Sequence, residues 1–167
     1  PDIIVYGKTL ANGYALNAVC GSRSVMDAAQ KTFISSTFWT ERVGPVAALE
    51  ALSQMEKINS FEIVPKIGAT IKQNWKRISE NNNIEMLITG TDSIPVFSFQ
   101  GQFKLEYKTF MTQEMLKKGY LASTAFYSST AHTTSYVDRY LNDLNDVIHR
   151  ISVTDPDRLK SEIAGPL

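Results

Sequence analysis

The chain opens with Pro1-Asp2-Ile3-Ile4-Val5-Tyr6-Gly7-Lys8, a short apolar run ended by a glycine and a lysine. The β-branched and aromatic residues at positions 3–6 predict a buried β-strand. The Asn12-Gly13 pair that follows predicts a turn, and residues 17–21 predict a second short strand. Lys8 therefore lies at the carboxyl end of a strand, the edge of an α/β sheet at which ligands bind.

Lys8 is the sharpest candidate for a catalytic residue. Burial lowers the pKa of a lysine and leaves its amine free for Schiff-base chemistry. The alternative is a surface lysine beside a strand, which spacing alone favours because most lysines are exposed.

Beyond this segment, the composition is that of an ordinary globular protein. The chain has 167 residues, 43% of them hydrophobic, and its 17 basic and 17 acidic residues give a formal charge of zero. Zero charge argues against a nucleic-acid-binding protein, which usually carries a basic surplus. One cysteine excludes an internal disulfide, and with only two histidines we predict no metal site. No apolar run is long enough for a membrane span, and the first residues do not resemble a signal peptide, so we predict a cytoplasmic protein without membrane contact.

Periodicity divides the chain into two unequal parts. Residues 1–58 predict two strands, a short helix, a polar loop and a longer helix. Residues 59–151 predict an α-β-β-α-β-α order, with residues 120–122 as the third strand and apolar residues at steps of three and four in the first and last helices. Residues 152–167 are polar and predict a loosely attached tail. The fold class is α/β.

Four other polar side chains or clusters are candidates. Ser36 and Thr37 lie in a hydroxyl-rich loop before a helix, which suits a phosphate, although capping and turn formation are the alternative. His132 is either a general base or a residue that orders the entry to the last helix, and we favour the second. We predict that His149 lies on a solvated helix face and that Cys20 is a buried small hydrophobe.

Three segments together resemble class III pyridoxal-phosphate-dependent aminotransferases. Residues 1–8 and the turn after them resemble the lysine segment of that family. Residues 36–38 resemble its phosphate element, a glycine and a threonine followed by a hydrophobic residue. Residues 119–133 resemble its carboxyl-terminal end, as found in glutamate-1-semialdehyde aminomutases and similar aminotransferases. The resemblance spans residues 1–151.

The resemblance implies fold type I of these transferases, the aspartate aminotransferase-like fold. Residues 1–58 would be the trailing part of the large cofactor domain, and residues 59–151 the small carboxyl-terminal domain. Pyridoxal 5′-phosphate would be the cofactor, and Lys8 would bind it through a Schiff base and then shuttle protons. Thr37, with Ser36 beside it, would bind the cofactor phosphate at the neighbouring subunit's site of a homodimer.

The sequence departs from the family at three places. Residues 36–42 lack the Gly-Asn-Pro that commonly follows the threonine, and Ala11 and Asn12 replace the usual glycines after the lysine. No arginine occurs in residues 124–130, where relatives that bind an α-carboxylate carry one. That absence favours an aminomutase-like activity, or an amine or sugar substrate, over an α-amino acid. The substrate and amino acceptor stay open.

In the family, the phosphate loop, the aromatic stacked on the pyridine ring and the aspartate paired with its nitrogen all precede the lysine. Since Lys8 stands so near Pro1, we expect a fragment that is inactive unless another chain supplies the missing large domain. We also expect its strand edges and apolar faces to be covered by that chain. The alternatives are a non-catalytic structural piece and an unrelated α/β binding module.

Overall fold

The computed structural model describes residues 1–165 and divides the chain into two compact units, residues 1–60 and the residues from Phe61 onward. The predicted boundary lay two residues earlier, and the assignment of these units to domains of a larger enzyme stays a prediction. No helix of residues 1–165 combines the length and apolarity that crossing a membrane requires.

The first unit contains a two-stranded sheet followed by helices. Ile3 pairs with Gly21 and Tyr6 with Ala18 in an antiparallel register, so the chain turns back on itself directly after Lys8. A 3₁₀ turn covers Lys8–Leu10, and a second one, Asp27–Lys31, extends the first α-helix. The regular elements in chain order are β1 (Ile3–Tyr6), β2 (Ala18–Gly21), α1 (Arg23–Met26) and α2 (Val43–Lys57).

The first unit buries very few side chains. Among residues 1–60, only Ala11, Gly44 and Ala48 are buried. The predicted strand at positions 3–6 is confirmed, but its predicted burial is wrong, because all four residues are exposed. The predicted burial of Cys20 is wrong for the same reason. A two-stranded sheet has no further strands or second layer to cover its faces.

The described part of the second unit contains a hairpin and four helices. Met86 pairs with Phe99 and Gly90 with Pro95 in the antiparallel hairpin. Its elements are α3 (Ser60–Asn82), β3 (Met86–Gly90), β4 (Pro95–Phe99), α4 (Lys104–Lys117), α5 (Thr134–Val153) and α6 (Pro156–Ser161). The predicted strand at residues 120–122 is wrong. The backbone pairs with β4 only later, where the Phe97 N–H donates to the Thr124 carbonyl at 2.9 Å.

The core lies in the second unit and is aromatic at its centre. Trp75 of α3 contacts Phe97 of β4 edge to face, with ring centroids 4.7 Å apart, and Phe97 contacts Phe99 at 5.4 Å. The apolar stripe of α5 packs on the same cluster. Because the apolar residues of α3 and α5 recur at steps of three and four, each helix presents one continuous face to this core. The fully buried members with the largest side chains include Trp75, Phe97, Phe110, Ile71, Met111, Met115, Leu144, Ile148, Ile151 and Leu159.

The end of the described chain is packed, so the loosely attached tail predicted for residues 152–167 is wrong. α5 continues to Val153, and α6 follows with the Asp155 carboxylate capping its first turn. Leu159 of α6 is fully buried in the core, and Gln113 of α4 donates to the Glu162 carbonyl at 3.0 Å. The polar sequence did not predict this packing, because α6 is attached by a single buried leucine and by ion pairs between polar side chains. Residues 166–167 lie outside the described residues.

Candidate functional site

The backbone after β1 is strained at Lys8. Lys8 has a φ of 48°, in the left-handed region that residues with a side chain rarely adopt. Asn12 repeats this conformation at 48°, and Gly13 follows at 102°. Asparagine and glycine tolerate such angles, whereas lysine pays for them in conformational energy. Strained residues of this kind concentrate at functional sites.

The side chain of Lys8 is exposed at the edge of an open cavity. Lys8, Thr9, Asn12, Gly13 and Tyr14 line this cavity, whose volume is about 480 Å³. The Lys8 amine makes no hydrogen bond or ion pair with any residue in positions 1–165. The Lys8 amine is therefore available to a ligand. The burial predicted for this end of the strand is wrong, because Lys8 is exposed.

Ser36 and Thr37 lie in an exposed turn of the same unit. The Ser36 hydroxyl accepts a hydrogen bond from the Phe38 N–H at 3.3 Å, so part of its role is local turn formation. Both residues are exposed, and Trp39 beside them is 71% exposed. Within the described chain no hydrogen bond joins either hydroxyl to Lys8. The structure thus places the two predicted site elements in one unit, with no hydrogen bond between them among the described residues.

His132 orders the loop before α5. Its Nδ1 accepts a hydrogen bond from the Ser129 N–H at 3.0 Å, and its ring contacts Phe126 with centroids 4.7 Å apart. The neutral ring then carries its proton on Nε2. Of the two predicted roles for His132, the ordering role agrees with these contacts.

His149 is exposed, as predicted, but it is not free. Its Nδ1 lies 3.2 Å from the Asn82 side-chain oxygen, while the Asn82 amide nitrogen donates to Asn145 at 3.1 Å. Asn82 is the one buried polar side chain among the described core residues. This bridge joins α3 to α5 and serves packing.

The sequence did not predict the polar cluster at the start of the 120–128 segment. The Tyr120 hydroxyl donates to Asp143 at 2.7 Å, and Lys118 donates to the same carboxylate at 2.6 Å. These two hydrogen bonds hold the pKa of Asp143 below its usual range. Burial raises the pKa of the Tyr140 phenol nearby. The sequence signal that could have indicated this region is the number of aromatic residues on either side of His132, between Tyr120 and Tyr140.

Within residues 1–165, no group of three His, Cys, Asp or Glu side chains lies close enough together to bind a metal ion.

Comparison with known proteins finds matches along most of the chain. The sequence model of the family described as aminotransferase class-III matches residues 1–137. The aminopentol aminotransferase of Sphingopyxis macrogoltabida is 30% identical over 109 residues, which are 64% of this chain and 26% of that protein. The glutamate-1-semialdehyde 2,1-aminomutase of Saccharolobus islandicus is 21% identical over 161 residues, which are 90% of this chain and 38% of that protein.

A solved structure gives a similar result. The PLP internal aldimine form of the FumI protein from Sphingopyxis sp. MTA144 matches with a TM-score of 0.79 and 25% identity, over 95% of this chain and 40% of that one. The chain spans 26% of the aminopentol aminotransferase and 40% of the solved protein, less than half of either.

Proposed function

Because this chain belongs to the class-III aminotransferase family, we propose that it is part of a pyridoxal-phosphate-dependent aminotransferase or aminomutase. The predicted resemblance and the predicted fold, fold type I of these transferases, are both confirmed. The functional proposal rests on the position of Lys8 and on its free amine. Lys8 has a free amine, it lies in a strained turn two residues after β1, and it matches the position of the cofactor lysine in the family's lysine segment.

The residues of the first unit fit pyridoxal phosphate in part. The unpartnered Lys8 amine suits the cofactor's aldehyde, and the exposed hydroxyls of Thr37 and Ser36 suit its phosphate. Among residues 1–165, no carboxylate lines the cavity beside Lys8, so we propose that residues outside this chain supply the partner of the ring nitrogen. When bound, the cofactor supplies an electron sink for the amino-bearing carbon of the substrate.

We propose two roles for Lys8. Its Nζ holds the cofactor covalently in the resting enzyme, and it moves a proton to and from the substrate carbon during the reaction. An unpaired amine suits both roles, because no ion pair has to be broken before it can react.

The lysine assignment is tested by reductive trapping. The chain is mixed with pyridoxal phosphate, reduced with borohydride and digested, and the modified peptide is located by mass spectrometry. We expect the label at Lys8, its loss in Lys8→Arg, and its retention in Lys31→Arg, a matched control at another exposed lysine of the first unit. Equal labelling of the exposed lysines, unchanged in Lys8→Arg, contradicts the assignment.

We propose that this chain is inactive by itself and needs the remainder of the enzyme. The exposed apolar side chains of the first unit support this, since they suit contact with further protein. A homodimer, with Thr37 at the neighbouring site, agrees with the exposure of the 36–39 turn. An amino-transfer assay on the isolated chain with pyridoxal phosphate is expected to show no turnover. Turnover that disappears in Lys8→Arg contradicts the fragment proposal while supporting the lysine role.

The substrate proposal depends on the 124–130 segment. It contains no Arg, Lys, Asp or Glu. We therefore propose a substrate without an α-carboxylate to be gripped there, either a semialdehyde as in the aminomutase branch or an amine or sugar. The chain is similar both to an aminopentol aminotransferase and to an aminomutase, so both substrate classes remain in the proposal. An assay of the complete enzyme that compares amine donors with α-amino-acid donors tests whether the substrate lacks an α-carboxylate.

A further inference from the structure

Asn12 and Gly13 form the one Asn-Gly pair of the chain, in the loop that follows Lys8. The other asparagines precede alanine, serine, tryptophan, asparagine, isoleucine or aspartate. In an Asn-Gly pair, the backbone nitrogen of the glycine can reach the side-chain carbonyl carbon of the asparagine, because glycine has no Cβ to crowd the approach. The pair is therefore chemically reactive wherever the fold leaves it free.

The fold leaves both residues of this pair free. Asn12 and Gly13 are exposed, and the Asn12 side chain makes no hydrogen bond with any residue in positions 1–165. A Cβ atom added to Gly13 would meet no atom beyond its chain neighbours within 4 Å, so open space surrounds the reacting backbone. The Gly13 N–H donates to the Lys8 carbonyl at 3.4 Å, longer than the roughly 2.7–3.2 Å of ordinary N–H···O bonds. Little therefore holds the Gly13 nitrogen back.

Two other asparagines share the backbone conformation of Asn12 but are not followed by glycine. Asn59 and Asn83 both have a φ of 52°, close to the 48° of Asn12, and both are exposed. Ser60 and Ile84 follow them. The Cβ of each, which is branched in isoleucine, hinders the approach of the backbone nitrogen. Asn59 and Asn83 are thus matched controls within the same chain.

We propose that Asn12 is a site of spontaneous deamidation. The deprotonated backbone nitrogen of Gly13 attacks the Asn12 Cγ, a new C–N bond closes a cyclic imide, and the Cγ–Nδ2 bond breaks. Nδ2 leaves as ammonia with the proton that the Gly13 nitrogen gave up. Water then adds to either carbonyl of the imide, so the ring opens to aspartate or to isoaspartate. The reaction consumes water and needs no oxidant or reductant.

The product places a carboxylate beside Lys8. Asn12 and Lys8 line the same cavity, and no carboxylate of residues 1–165 lines it. An acidic side chain at position 12 can pair with the Lys8 ammonium, which leaves less of the unprotonated amine to react with an aldehyde. This consequence rests on the proposed function of Lys8, whereas the deamidation of Asn12 does not.

The test ages the full 167-residue chain, without cofactor, in mildly alkaline buffer. Mass spectrometry of its peptides follows the exchange of NH for O at each asparagine, and an isoaspartate-specific methyltransferase detects the rearranged product. We expect Asn12 to react at least about tenfold faster than Asn59 or Asn83, with isoaspartate among its products. In Asn12→Gln, whose longer side chain closes a larger ring, the rate at position 12 is expected to fall to that of the controls. Equal rates at the three asparagines, or aspartate without isoaspartate at position 12, overturn the proposal.

The same chain unfolded in urea shows whether the fold protects the pair. Exposed loops open at almost no cost in free energy, so we expect the native chain to react at Asn12 within about tenfold of the unfolded chain. Stronger protection of Asn12 in the native chain overturns the proposal.

Reductive labelling with pyridoxal phosphate tests the consequence for Lys8. At limiting cofactor, we expect the borohydride-trapped label at Lys8 to be about two- to fivefold lower in Asn12→Asp than in Asn12→Gln, the effect of one exposed ion pair. The label at Lys31 is expected to be the same in both variants. Equal labelling of Lys8 in the two variants overturns the effect on Lys8. If Lys8 is labelled in neither variant nor in the wild type, the proposed function fails, while the ageing experiment still decides the deamidation of Asn12.

Discussion

Gly68 of α3 lies in close contact with the turn between β3 and β4. A Cβ atom at this position would lie 1.7 Å from the Asp92 carbonyl oxygen and 2.8 Å from the Ser128 hydroxyl. One turn later on the same helix, Lys72 donates to the Gly90 carbonyl at 2.7 Å and to the Asp92 carboxylate at 3.0 Å. The turn between β3 and β4 is therefore held directly against the helix backbone.

This contact predicts the sign of a single substitution. Alanine normally stabilises a helix by about 1 kcal/mol relative to glycine, but in Gly68→Ala the added Cβ would have to displace backbone. We expect the free energy of unfolding in urea to fall by about 1–3 kcal/mol or more. Gln73→Ala, at an exposed position of the same helix, is the control and is expected to change it by less than about 0.5 kcal/mol. A stabilised Gly68→Ala variant would show that the loop moves away freely.

At the scale of single residues, the sequence predicted the strand before Lys8 and the turn after it, but not which residues of this segment are exposed. The apolar run before it and the Asn-Gly turn after it are local signals, and the strand and turn formed where expected. The exposure of Cys20 depends on which layers cover the sheet, and no residue near Cys20 records that. The same holds for Gly68, whose constraint arises from Asp92, 24 positions away in the chain.

Among the elements, α4 shows which boundaries a sequence can predict. Gly119 follows the end of this helix with a φ of 90°, the conformation that favours glycine at this position. Its N–H donates to the Leu116 carbonyl at 2.9 Å, and the Tyr120 N–H donates to the Met115 carbonyl at 3.0 Å. These bonds occupy the backbone where a strand was predicted to begin, so strand pairing starts only near Thr124. Helix ends follow from local residues, whereas strand register depends on a distant partner.

The junction of α4, α5 and α6 is electrostatic and predicts a pH dependence. Arg150 of α5 lies 2.7 Å from Glu114 of α4 and also pairs with Glu162, which follows α6. Burial raises the pKa of Glu114, but hydrogen bonds from Lys117 and Gln113 and nearby positive charges outweigh it, so the pKa lies below its ordinary value. The charged carboxylate is thus favoured in the folded state.

A group whose pKa is lowered on folding contributes stability above its unfolded pKa and loses it as the pH falls through the folded pKa. For Glu114 we expect the free energy of unfolding to decline as the pH falls below about 4.5, near the ordinary glutamate pKa. Glu114→Gln is expected to lower stability at pH 7 and to flatten this decline. Glu85→Gln, at an exposed residue with no ion pair in the described chain, is the control. Identical acid profiles for Glu114→Gln and the wild type would contradict the assignment.

For the whole molecule, the two units differ in how much they bury. The second unit contains every member of the main hydrophobic cluster, including Trp75, Phe97 and Leu144. The first unit leaves Phe33 95% exposed and Trp39 71% exposed. The length and composition of the chain correctly indicated enough apolar residues for a core. They did not indicate that the core would form in one unit only, because composition does not record which apolar residues meet.

This difference predicts unequal hydrogen exchange in the full chain. Amides of α3 and α5 lie over the core and should exchange only when the second unit opens, whereas β1 and β2 form an exposed two-stranded sheet that opens readily. We expect exchange in α3 and α5 to be slower than in β1 and β2 by about a thousandfold or more after correction for intrinsic rates. Mass spectrometry of peptides from each element measures the ratio. Similar protection of β1 and α5 would mean that the first unit is stabilised in solution by contacts, with itself or with a second copy, and a concentration series would separate these, because only contacts with a second copy weaken on dilution.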